Sequence, residues 1–178
     1  MNNYSFRNTY RMNENTFIED RGYPYIVDNS NENYAILSEK FAELEIGKTA
    51  LRTDIDEFEI VDGCPMLELI RENKINELKK KFSERFNTLV IESSIGFPID
   101  ANEKASINVR GLLETMENTV YFCDADNNFH EVTKENVETI LKEIIEAQQS
   151  LYQIKWNLRN QIQEESDVIN LQELNINL

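Results

Sequence analysis

The longest regular pattern in the chain runs from Thr133 to about Glu165. Apolar residues at Val137, Ile140, Ile144, Ala147, Leu151, Ile154 and Leu158 step alternately by three and four, the repeat of one helical face. Leu141 and Ile145 widen that stripe beyond what one partner helix covers, and Lys142, Glu143, Glu146, Gln149, Gln153 and Arg159 fill the polar side. Thr133 suits an N-cap, with Glu135 and Glu138 at the positive end of the helix dipole. The pattern predicts one long helix over 133–165, uninterrupted by Gly or Pro. A second stripe (Leu67, Ile70, Ile75, Leu78, Phe82, Phe86, Leu89) predicts a helix from Pro65 to about Ile91 that lies antiparallel to the first. Pro65 fits a first helical turn, where its missing N–H costs nothing. A third, shorter helix is expected over Glu103–Met116.

Between these stripes the pattern shortens. Val120–Cys123 and Phe129–Val132 flank the turn residues Asp124–Asn128 and predict a hairpin, which is marginal alone and must lie on the helices. Gly96–Asp100 reads as a strand or turn. Leu51–Val61 reads as one strand ended by Asp62-Gly63, and Ala35–Leu44 as a short helix. Beyond the long helix, Leu174, Ile176 and Leu178 alternate with polar residues, the period of a strand added in cis or to a neighbour.

Residues 1–34 differ from the rest. Tyr4, Phe6, Tyr10, Tyr23 and Tyr25 stand among asparagines, which favour turns over helices. This predicts an arm with short strands around Tyr23–Val27 and a turn at Asp28–Asn31. Its aromatics dock either on the chain's own helices or on a partner, aromatic residues being enriched at interface hot spots.

Composition changes the picture at three points. The net charge of −15 argues against non-specific binding to nucleic acid or anionic membranes, which requires basic patches. Acids crowd residues 14–62, where only Arg21, Lys40, Lys48 and Arg52 oppose them. No run approaches the roughly 20 apolar residues of a membrane span. The first twenty residues lack a secretory h-region, so a cytoplasmic origin is expected. Cys64 and Cys123 form no CxxC or metal-ligand spacing and read as reduced thiols.

Little in the chain encodes chemistry. Asp124, Asp126, Asn128 and Glu135 match positions 1, 3, 5 and 12 of a calcium loop. Phe129 replaces the glycine of its sharp turn, so a plain hairpin turn is expected. His130 and Cys123 could form a dyad across the hairpin, but no third group orients it. The five scattered glycines make no phosphate loop. No catalytic residue, cofactor or metal is expected.

The order of these features resembles a bacteriophage domain of unknown function, family 4376, over about Ile75–Ile162. The matching features are the helix to Ser94, Gly96, Ile99-Asp100, Ile107-Asn108, the aromatic strand Tyr121-Phe122, the Asp126-Asn127 turn and Val132-Thr133. The long helix closes on Leu151-Tyr152, Lys155-Trp156 and Leu158-Arg159. Where the family often has a tryptophan before its Asp-Asn turn, Tyr121 and Phe122 stand instead. The resemblance implies a non-enzymatic structural or accessory component of a phage tail, made in the host cytoplasm and assembled in the virion. It packs against copies of itself or other tail and tail-fibre proteins. The alternative is a tail-fibre assembly chaperone absent from the particle.

The expected fold is α+β: a mainly helical module over 63–165, built of long antiparallel helices with one or two short hairpins. It follows an N-terminal arm with short strands over 1–62 and precedes a tail over 166–178. Tyr4, Phe6, Tyr10, Tyr23 and Tyr25 in the arm and Leu174, Ile176 and Leu178 in the tail are the expected partner-binding residues.

Overall fold

A computed structural model describes residues 4–55 and 57–178, so the first three residues of the expected arm lie outside the described ones. Contacts divide the chain into two compact units. The first extends through Asn73 and includes Glu165–Leu174, and the second holds Lys74–Glu164 and Asn175–Leu178. Gly63, where the helical module was expected to begin, precedes this division by ten residues.

The first unit overturns the expected arm. Strands β1 (Thr9–Asn13), β2 (Thr16–Asp20) and β3 (Pro24–Asp28) precede helix α1 (Tyr34–Lys40), and β4 (Lys48–Arg52) and β5 (Phe58–Asp62) follow it. They form one five-stranded antiparallel sheet of order β3-β2-β1-β4-β5. Helix takes 46% of the described residues and strand 24%, so helices do not dominate and the N-terminal region is rich in strand. The physical reason is local. Each asparagine- or aspartate-bearing turn joins two strands of about five residues, too short to show a long alternation. Gly22, at φ +81°, closes the β2–β3 turn, and its N–H donates to Asp20 Oδ1 at 2.9 Å. The strand expected over Leu51–Val61 is instead the hairpin β4–β5, reversed where Thr53 N–H donates to the Glu57 carbonyl.

One face of this sheet carries Phe17, Val27 and Ala50 into a core with Leu37, Phe41 and Leu44. Tyr4, Phe6, Tyr25, Tyr34 and Phe58 pack at its margin, and Phe41 meets Phe58 edge-on at 5.1 Å. Glu19 is fully buried on the same face. Arg21 Nη2 lies 2.7 Å from its Oε2, and the Tyr4 hydroxyl donates to the same oxygen. The Arg21 guanidinium also lies 3.6 Å from the centre of the Tyr25 ring. Burial, then the neighbouring Glu19 carboxylate, pushes the Tyr4 hydroxyl up to about 12.

The second unit is built on α4 (Lys134–Glu164), close to the expected helix. Its start is a reciprocal cap: Asn136 N–H donates to Thr133 Oγ1, and Thr133 N–H donates to Asn136 Oδ1. Val137, Ile140, Ile144 and Leu151 are buried with Phe82 and Leu89, and with Val109 of α3 (Glu103–Thr115). Asn102 caps α3 through Ala105 N–H at 2.9 Å. Helix α2 (Pro65–Asn87) ends four residues before the expected limit, and β6 (Val90–Glu92) pairs with β7 (Pro98–Asp100). The expected hairpin is β8 (Thr119–Cys123) with β9 (Phe129–Thr133). The tail forms no strand. Val168–Glu173 is a short helix, α5, capped by Asp167, and the residues after it are irregular.

Two substitutions test these cores. Leu151→Ala removes a buried seam residue and should cost about 2–5 kcal/mol, and Phe17→Ala about 3–5 kcal/mol, by denaturant unfolding. A Phe17→Ala cost under about 1 kcal/mol would mean that the N-terminal sheet carries no core of its own.

Candidate interaction surfaces

The loop that resembles a calcium site is occupied by its own hydrogen bonds. Asp124 Oδ1 accepts from the N–H groups of Asp126 and Asn128, at 2.9 and 2.8 Å. Oδ2 accepts from the Asn128 amide and lies 2.8 Å from His130 Nε2. An ionised carboxylate only accepts, so Nε2 carries the proton of that bond. Asn127 takes φ +67°, the left-handed turn residue that asparagine tolerates. His130 stacks on Phe97 at 4.0 Å, and Ala125 N–H donates to the Pro98 carbonyl, which ties the turn to the β6–β7 hairpin. The bond with His130, then those from Asn128 and Asp126, holds the Asp124 carboxyl down at about 2 against the opposing effect of burial. Among the described residues no group of three or more His, Cys, Asp or Glu is placed to hold a metal ion.

The Cys123–His130 dyad is ruled out by the pleat. In the β8–β9 register Phe122 faces His130 and Cys123 faces Phe129, so the two residues lie on opposite faces. Val120, Phe122, His130 and Val132 form the packed face. Tyr121, Cys123, Phe129 and Glu131 form the open one. Tyr121 is 72% exposed and Phe129 71%, an aromatic pair on a diagonal with nothing over it.

A second open surface runs along α4. The buried seam is broken after Leu151, where Ile154, expected to continue it, is exposed, and it resumes only at Ile162. Tyr152 and Trp156, four residues apart on one side, stand beside α2. The Tyr152 ring lies 4.9 Å from Phe82 and 5.9 Å from Trp156, and Lys155 Nζ sits 3.9 Å over the Phe82 ring. Trp156 remains 55% exposed. Toward the start of α4, Leu141 and Ile145 line an open groove of about 390 Å³ with Leu113 of α3, rimmed by Glu138, Lys142 and Glu146. Gln148 holds α3 by donating to the Ala101 and Asn102 carbonyls.

The expected partner-binding residues fare unevenly. Tyr4, Phe6 and Tyr25 pack at the margin of the core of their own unit and are partly buried there. Tyr10 is half-buried on β1 opposite Ile18. Only Tyr23 is largely open, at 56%. Ile176 is buried and Leu178 packs on the second unit's core, while Leu174 is half-buried. The sequence pattern alone does not single out Tyr121, Phe129 and Trp156 as surface residues. Tyr121 and Phe129 follow a signal it contained: in a two-stranded hairpin one face must stay open, and the alternation names both possible sets.

The family model described as a domain of unknown function (DUF4376) matches residues 70–174, more than half of the chain. No curated protein and no solved structure matches it. Among the described residues no helix is long and apolar enough to cross a membrane.

Asp124 yields a pH prediction. Its folded pKa, about 2, lies below the ordinary aspartate value of 3.8, so its contribution is full above about pH 4. That contribution is lost as pH falls toward 2. The stability difference between the protein and Asp124→Asn should therefore shrink from pH 5 to pH 2, measured by denaturant unfolding. For the open face, joint replacement of Tyr121 and Phe129 by serine should change stability by less than about 1 kcal/mol.

Proposed function

The chain belongs to the DUF4376 family, and from that membership we propose a non-enzymatic role, as a structural or accessory component of a bacteriophage tail. It acts by packing its open faces against other tail proteins or copies of itself. The tail setting rests on the resemblance of the motifs between Ile75 and Ile162. The assembly role rests on one observation: Tyr121, Phe129 and Trp156, the largest aromatic side chains left open in the family-matched region, are each more than half exposed. Aromatic residues at that exposure, on elements anchored by a buried core, are rigid anchors that a partner can cover with little loss of side-chain freedom.

The charge suits a protein partner more than phosphate. At −15, the chain as a whole repels nucleic acid and anionic lipid. Placement in the particle or in the host cytoplasm separates the tail component from the assembly chaperone. Quantitative mass spectrometry of purified particles should find the chain at a fixed ratio to known tail proteins. Its absence from particles, together with co-purification with an unassembled fibre protein, would establish the chaperone instead.

A further inference from the structure

The open stripe of α4 has an internal symmetry that identifies its occupant. Leu141 and Trp156, Ile145 and Tyr152, and Glu138 and Arg159 are three pairs, and each straddles the same point between Gln148 and Gln149. At 100° per residue all six fall within one narrow side of the helix. The half toward the start of α4 offers the groove over Leu141 and Ile145. The half toward its end offers the largely exposed ring of Trp156, beside the open edge of Tyr152, whose ring rests on Phe82 and Phe86. Charge divides in the same way. Glu135, Glu138, Glu143 and Glu146 outnumber Lys134 and Lys142 in the first half. From Ala147 to Gln163 the helix carries no acid and only Lys155 and Arg159 as bases.

We infer that this face pairs with the same face of a second copy of the chain, the two α4 helices antiparallel about a two-fold axis between Gln148 and Gln149. Trp156 of each copy then enters the groove over Leu141 and Ile145 of the other, with the open edge of Tyr152 against Ile145. Glu138 of each copy meets Arg159 of the other, so the contact is isologous and closes as a dimer. A parallel arrangement would set acid beside acid and leave the grooves empty. The stripe from Leu141 to Trp156 is about 22 Å long, and with a helix about 10–12 Å wide it makes an interface at or below the size of weak, transient ones. A weak dimer is expected. The repulsion between two chains of −15 is screened beyond about 8 Å at physiological ionic strength, so the pairing is to be sought there and not at low salt.

The inference stands apart from the tail assignment. A monomeric chain found in particles would overturn the pairing and leave the tail role intact. A dimeric chain absent from them would do the reverse.

The test is sedimentation equilibrium of the full chain, from low micromolar to near-millimolar concentration. A monomer–dimer equilibrium is expected, weakened about tenfold or more by Trp156→Glu. Glu138 and Arg159 are both exposed, so their reversal spares the fold, which far-UV circular dichroism checks. Glu138→Arg and Arg159→Glu should each weaken the dimer, and the double reversal should restore it. A chain that stays monomeric at near-millimolar concentration overturns the pairing, as does a dimer indifferent to Trp156→Glu or a double reversal that restores nothing.

Discussion

Helix α4 carries more apolar surface than its own unit covers, and the architecture around it follows from that excess. Its buried seam collects Phe82 and Leu89 on one flank, Val109 on another and the β9 residue Val132 near its start. Each element supplies only a few apolar positions, so none is stable without the seam. Coverage lapses after Leu151 and returns at Ile162. Between them Tyr152, Ile154 and Trp156 meet solvent along part of their surface, and Leu141 and Ile145, before Leu151, floor an open groove. A helix with a buried stripe and a second, open stripe is a scaffold that presents a surface. The hairpin β8–β9 repeats this on a smaller scale, with one face packed through Phe122, His130 and Val132 and an aromatic pair on the other.

The N-terminal unit obeys a different constraint. Glu19 lies on the face of a central strand that also carries Phe17, so a carboxylate sits inside an aromatic core. Such a charge is tolerated only with close, hydrogen-bonded partners. Arg21 and Tyr4 supply them, and Arg21 is held in turn over the Tyr25 ring. Two of the aromatics that read as a docking arm, Tyr4 and Tyr25, are therefore the shell of a buried ion pair. This fixes Tyr4 to the sheet.

How far the sequence could be read depended on the length of each pattern. The α4 stripe spans some thirty residues, long enough for the three-four repeat to exclude a strand, and its cap at Thr133 was legible from residue type. The β8–β9 hairpin was legible because two short apolar runs flank five turn residues. The five-stranded sheet was not, because its strands are five residues each and their pairing is set by contacts between distant segments, β1 with β4 above all. The tail misled for a simpler reason. Leu174, Ile176 and Leu178 alternate, but three positions do not fix a period, and the Asp167 cap begins a helix just before them. The open surfaces were half legible. The alternation in β8 and β9 names Tyr121 and Phe129 as one face, and only packing decides which face is covered.

The assembly role requires that these aromatic faces be covered in the assembled state. Hydroxyl-radical footprinting, read residue by residue on the free chain and on the chain within its assembly, addresses this directly. Tyr121, Phe129, Tyr152 and Trp156 should oxidise readily in the free chain and be protected in the assembly, while Phe17 and Phe82, buried throughout, stay unreactive in both. Equal oxidation of the four exposed aromatics in the two states would contradict the assembly role.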